Sequence, residues 1–294
     1  MLQYISPIHL FEHCGIESSQ LPQTDVSRIK KIVMAEFALS PNGFITVDKN
    51  EYSKDFVLQE LDDPDFNERL THHLTVWNNA GINGFLLYHH IEMIGAARRE
   101  WGNLADNQYF VDFISPYFTF SFNKFMGYTI KQQSFRNASR LIDFLIFINP
   151  VDYDDAFKSS RIFLQENISI LKNLNAESYK SRLRELTPWR DSDWHLFVDK
   201  LPDDFYTYKV QLAEILINLT VEVYKKDTQL ALDISSNLIG LNGLPTEFAN
   251  LIKNNHKVFK TSHNGQADEN KGCMTVRLIF FILIALSTIV RTCA

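Results

Sequence analysis

The chain has 294 residues and a mass of 34.1 kDa, with 45% hydrophobic and 22% charged residues. That is enough to bury a core in one large domain or two small ones, and it excludes a disordered chain, a collagen-like chain and a polytopic membrane protein. Eleven Gly and nine Pro are too few for an all-β protein built on many tight turns, and a formal net charge of −6 gives no general pull toward nucleic acid.

Met1 to Gln20 carry no Lys or Arg. A secretory leader, which needs a basic start before an apolar run, is therefore not expected, and the body is expected in the cytoplasm. Cys14 is the one cysteine before residue 273, so the body is expected to hold no internal disulfide. In the same stretch, His9-Leu10-Phe11-Glu12-His13 matches the pattern H-x-x-E-H. On a helix this puts two imidazoles one turn apart with a carboxylate beside them, an arrangement that can hold zinc and activate a bound water. A third ligand has to come from elsewhere, and Glu92 is the candidate. The alternative is a short amphipathic helix with Ile8, Leu10 and Phe11 inward and Gly15 ending it.

Asp25 to Leu39 carries apolar residues at helical spacing behind a Thr24 or Asp25 cap. Ser40-Pro41-Asn42-Gly43 stops it. Phe44 to Val47 and Glu51-Tyr52, on either side of a polar turn, predict a β-hairpin. Ser53 caps a helix through Leu61, and Asp62-Asp63-Pro64 separates it from another running to about Trp77. Further helices are predicted over Ile82–Trp101, Asn107–Lys131, Phe135–Phe147, Asp152–Leu174, Ala176–Leu186, Pro188–Leu201, Pro202–Lys226, Thr228–Leu241 and Pro245–Phe259. The expected class is mainly all-α, an irregular helical bundle or solenoid with a small N-terminal β-hairpin and a C-terminal apolar helix. Residues 1–260 form the expected helical body, with 1–62 as a possible N-terminal subdomain.

Two histidine pairs, His72-His73 and His89-His90, are a second metal possibility. Adjacent helical residues point about 100° apart, so each pair offers one ligand to a given site. His73, His90 and Glu92 are the candidate set. The competing reading is one buried, hydrogen-bonded histidine and one solvated histidine in each pair. Tyr109 to Tyr128 holds six Phe; it reads as the central core helix, with lipid insertion as the alternative. The phosphate-loop, dinucleotide-binding, nucleophile-elbow and paired-cysteine patterns do not occur. No catalytic residue, cofactor or nucleic-acid partner is expected.

The C-terminus carries the strongest functional signal. Thr261 to Gly272 is polar and reads as a flexible linker. Residues 273–294 follow as a candidate membrane anchor. Its core is Leu278, Ile279, Phe280, Phe281, Ile282, Leu283, Ile284, Leu286, Ile289 and Val290, bracketed by Arg277 and Arg291. The core alone is about 20 Å long against a hydrocarbon thickness of roughly 30 Å, so spanning requires both Arg to snorkel to the headgroups. The alternative is a last core helix packed on the body. The expected function is a membrane-tethered cytoplasmic interaction or scaffold protein, a single-pass chain that meets lipid through its C-terminus and a protein partner through its body. A membrane-disrupting effector and a metal hydrolase using His9, Glu12 and His13 are the alternatives.

Overall fold

Fifteen α-helices, several short 3-10 helical turns and one two-stranded antiparallel sheet make up the regular structure of the described residues. The computed structural model describes residues 3–40, 42–48, 50–88, 98–190 and 193–263. The helices are α1 (Pro7–His13), α2 (Val26–Leu39), α3 (Lys54–Leu61), α4 (Phe66–Asn78), α5 (Ala80–Tyr88), α6 (Arg98–Ala105), α7 (Gln108–Lys131) and α8 (Phe135–Ile142). They continue with α9 (Tyr153–Ala156), α10 (Lys158–Leu171), α11 (Leu183–Arg190), α12 (Trp194–Lys200), α13 (Tyr206–Val223), α14 (Thr228–Ile239) and α15 (Thr246–His263). The mainly helical class and the early hairpin are as the sequence predicts. The apolar C-terminal segment lies outside the described residues.

The chain divides into two compact units. Among the described residues, one holds those up to 125 together with 144–156; the other holds 126–143 and those from 157 to 263.

In the first unit the local signals are cashed at helix ends. Asp25 caps α2 by accepting from the Ser27 amide at 2.7 Å, and Ser53 caps α3 by accepting from Phe56. Gly15, with φ of +79°, turns the chain after α1 in a conformation that suits glycine. Strands β1 (Phe44–Val47) and β2 (Asn50–Ser53) pair so that Ile45 faces Tyr52 and Val47 faces Asn50. Ile45 and Tyr52 share the buried face, and the Tyr52 hydroxyl donates to the Ser6 carbonyl at 2.8 Å. Helix α1 lies against α2, α4 and β1. The predicted core residues Ile8, Leu10 and Phe11 are fully buried.

Helix α7 runs unbroken through Pro116. Its Phe110, Phe118, Phe122 and Phe125 are all buried, and Phe85 packs on Phe118 and Phe125 at 4.7 and 5.1 Å between ring centres. This is the core-helix reading of the Phe-rich stretch. Trp101, in α6, is fully buried against Phe144 and Phe147 and donates to the Asn79 side chain. Gly102-Asn103 therefore does not end the helix, as the sequence suggests it should. One helical Gly costs only about 1 kcal/mol, and α6 continues to Ala105.

In the second unit α14 packs on both α13 and α15, and α10 packs on α13. Two predicted boundaries differ. Asp152–Leu174 is not one helix but α9, in the first unit, and α10, in the second, divided at Phe157, whose buried ring packs edge-on against Phe205. Pro188 does not start a helix; it lies inside α11. The N–H it lacks would have bonded the carbonyl of Arg184, an exposed residue whose carbonyl water can serve. The same register buries Trp189 against Phe163 and Trp194. Helix α15 runs to His263, four residues past its predicted end, so Thr261 to His263 are helical rather than linker.

Candidate functional site

Arg69 and His73 stand four residues apart on α4 and so share one side of the helix. Helix α3 brings Glu60 to the same place, and the N-terminal segment brings Tyr4. The four side chains form a chain of hydrogen bonds. Tyr4 Oη lies 2.9 Å from His73 Nδ1, and His73 Nε2 lies 3.2 Å from Glu60 Oε1. Arg69 donates from Nε and Nη2 to the two Glu60 oxygens, both at 2.9 Å.

Burial and the hydrogen-bond partners together decide the protonation states. It would raise the Glu60 pKa, but hydrogen bonds from His73 and Arg69 and their charges outweigh it and bring the carboxyl down to about 2. Burial pushes His73 below the usual imidazole range despite the carboxylate beside it. At neutral pH Glu60 is therefore ionised and can only accept, while His73 is neutral. Its Nε2–H must donate to Glu60, which leaves Nδ1 as the acceptor for the Tyr4 hydroxyl. Burial also raises the Tyr4 pKa, so the phenol keeps its proton.

Tyr4 is 0% exposed, His73 2% and Glu60 9%. A relay of this kind can pass a proton, but here no solute reaches its phenol end. Rings close the surroundings: Phe113 lies edge-on to His73 at 4.9 Å and beneath the Arg69 guanidinium at 5.6 Å, and Tyr117 meets Tyr4 edge-on. The network is a bolt that fixes the N-terminal segment to α3 and α4. The neighbouring His72 is half-buried against Phe110 and Phe113 and sits 3.9 Å from Glu68.

The H-x-x-E-H residues do not converge. His9 is buried; its Nδ1 pairs with Asp48 Oδ2 at 3.1 Å, and its ring stands edge-on to Trp77 at 4.6 Å. Glu12 and His13 are exposed, and His13 is the last residue of α1. Asp48 reaches His9 from the hairpin turn, where it has a φ of +48° that Asp tolerates better than most residues. Of the second metal set, His73 has both ring nitrogens engaged, and His90 and Glu92 lie outside the described residues. Among the described residues no three His, Cys, Asp or Glu side chains gather as a metal site.

The second unit has a serine–histidine contact of its own. Ser235 Oγ on α14 lies 2.9 Å from His256 Nδ1 on α15 and 3.2 Å from the Leu232 carbonyl. Ser235 is fully buried, so the hydroxyl ties two helices together and is closed to a substrate. Burial and the nearby Lys260 lower the His256 pKa.

No known protein family, curated protein or solved structure matches this chain. The reading of the site therefore rests on its chemistry alone. Sequence reasoning singled out His73 but missed Tyr4, Glu60 and Arg69. The available signal was on α4, where Phe66, Leu70, His73 and Val76 recur on the buried stripe with Arg69 beside it. A charged residue bordering a buried stripe calls for a partner, and Glu60 is the acidic residue on the buried side of α3.

Proposed function

We propose that the chain is a membrane-tethered helical interaction protein. In this reading residues 1–260 form the body, held on the cytoplasmic side, and 273–294 form the anchor. One observation carries it: Leu278 to Val290 is an uncharged run between Arg277 and Arg291, preceded by a polar stretch. Ten of its thirteen residues are Leu, Ile, Phe or Val, worth roughly 3 to 6 kcal/mol on insertion. Two bracketing Arg cost little at the headgroups and about 2.5 to 3.5 kcal/mol each at the bilayer centre. Insertion with both Arg at the interfaces, thinning the bilayer locally, satisfies both terms. The weak excess of basic residues before the run, Lys271 and Arg277 against Arg291, favours a cytoplasmic body. Helical bodies take partner segments in grooves between helices, and a protein partner is the expected ligand of the body. Among the described residues no helix is long and apolar enough to cross a membrane.

Carbonate extraction tests the anchor. Full-length protein should stay in the pellet, and Ile284→Arg, which places a charge mid-run, should move to the supernatant. A wild-type chain that extracts, or a variant that pellets like wild type, ends the reading.

A further inference from the structure

Helix α15 carries Lys253, Lys257 and Lys260, all exposed. At 100° per residue the three fall within an arc of about 60°, flanked on the same face by the exposed Asn250, Asn254 and Thr261. Glu247, in the first turn, is the one acidic residue of the helix and lies off that arc. The opposite face is fixed inward: Leu251, Ile252 and Phe259 are buried, and Phe259 packs on Tyr224 at 5.3 Å. Nearby, at the turn between α13 and α14, the charges cancel. Lys225 and Lys226 are balanced by Glu222, which accepts from the Ala176 amide, and by Asp227, which caps α14. Lys226 itself donates to the Ala176 carbonyl at 2.9 Å. The face of α15 is thus a concentrated basic stripe on a chain whose net charge is −6.

We propose that this face of α15 docks on the headgroups of an anionic phospholipid bilayer. The inference rests on the tether reading above, and chain length supplies its second support. From His263 to Arg277 is fourteen residues, a reach of at most about 50 Å when extended. An inserted tail therefore holds α15 within a short span of the bilayer, and weak attraction becomes effectively intramolecular. An acidic protein near an anionic surface is repelled by most of its faces, so one basic face also sets its orientation. Each lysine close to an anionic surface strengthens binding about five-fold, and three together on the order of a hundred-fold, with the effect lost as salt rises.

The test separates docking from insertion. Full-length Ile284→Arg protein, in which the tail no longer inserts, is sedimented with vesicles of phosphatidylcholine alone or with 30% phosphatidylserine, at low and at high salt. The expected result is binding to the serine-lipid vesicles at low salt only, and a loss on the order of a hundred-fold when Lys253→Gln, Lys257→Gln and Lys260→Gln are added. Helical circular dichroism of the quadruple variant, compared with Ile284→Arg, shows that the fold is kept. Equal binding to both vesicles, no binding to either, or binding indifferent to the three lysines overturns the proposal. So does selective capture of a single-stranded oligonucleotide under conditions where the anionic vesicles are ignored. Carbonate extraction of the chain carrying only the three Gln substitutions reads the tether independently. It should pellet as wild type does if the tail inserts, whatever the lysines do.

Discussion

In the first unit the buried His73 has a partner on each ring nitrogen, whereas in the second unit the buried Asn255 has none among the described residues on either amide atom. Both residues are almost fully covered, His73 at 2% and Asn255 at 0% exposure. His73 sits where three segments of chain meet, so Tyr4 and Glu60 can approach from different directions. Asn255 lies on α15 beside Leu251, Ile252 and Phe259, side chains that offer it no hydrogen bond. The same kind of burial thus strengthens one unit and weakens the other. The difference lies in whether the neighbours are polar and converge, since an unmade buried hydrogen bond costs about 1 to 3 kcal/mol.

The comparison can be broken most forcefully at Glu60. Glu60→Leu should destabilise the protein by about 3 to 5 kcal/mol, because it strands a guanidinium and an imidazole donor together. Arg69 is 29% exposed and has Asp63 at 3.7 Å, which places the expected value toward the lower end. Denaturant midpoints for wild type and variant check this. The deficit should also depend on pH. The folded Glu60 pKa is lowered, so its contribution is present above the ordinary carboxylate range near 4.5 and lost as pH falls toward about 2. The folded His73 pKa is lowered too, so wild type should begin to lose stability below the usual imidazole value near 6.5. A variant within 1 kcal/mol of wild type at pH 7, or a deficit that does not shrink as pH falls from about 4.5 toward 2, would remove the network's claim to hold the unit together.

At Asn255 the expected sign is reversed. Asn255→Leu keeps the branched shape and removes two unpaired polar groups, but its methyls are bulkier than the amide, so the net stabilisation should be about 1 kcal/mol at most. Thermal melting reads this directly. Destabilisation by Asn255→Leu and by the smaller Asn255→Val alike would mean that the amide is satisfied, and the contrast between the units would fall.

These two residues also show how far the sequence could be read. Helical spacing places both on buried stripes, His73 with Phe66, Leu70 and Val76, and Asn255 with Leu251, Ile252 and Phe259. Spacing is local, and it locates the burial. Whether a partner arrives is decided by residues far away in the chain: Tyr4 is 69 positions from His73. The same limit explains His9. The i, i+4 pattern suggested that it works with His13, but its partner is Asp48, 39 positions on, in the hairpin turn. The helices themselves were legible wherever caps and breakers are short-range, as at Asp25 and Ser53. They were misjudged where a ring had to reach a distant pocket, as at Phe157 and Trp189.

An effect of similar size sharpens the network's internal logic. Tyr4→Phe removes one hydroxyl from a site that stays packed and leaves His73 Nδ1 as a buried acceptor with no donor. At pH 7.5 the cost should be about 1 kcal/mol. Protonation of His73 reverses this bond without breaking it: Nδ1 then carries a hydrogen and donates to the phenol oxygen, which can accept as well as donate. A buried charged donor left without an acceptor costs more than a neutral acceptor left without a donor, so the deficit of Tyr4→Phe should persist or grow below the folded His73 pKa. That pKa lies under the usual imidazole value because of burial, so any change belongs on the acid side of pH 6.5. Urea midpoints of both proteins at pH 7.5 and pH 4.5 measure it. A deficit that is absent at pH 7.5, or that disappears at pH 4.5, would mean that the Tyr4 phenol and Nδ1 of His73 do not hold each other.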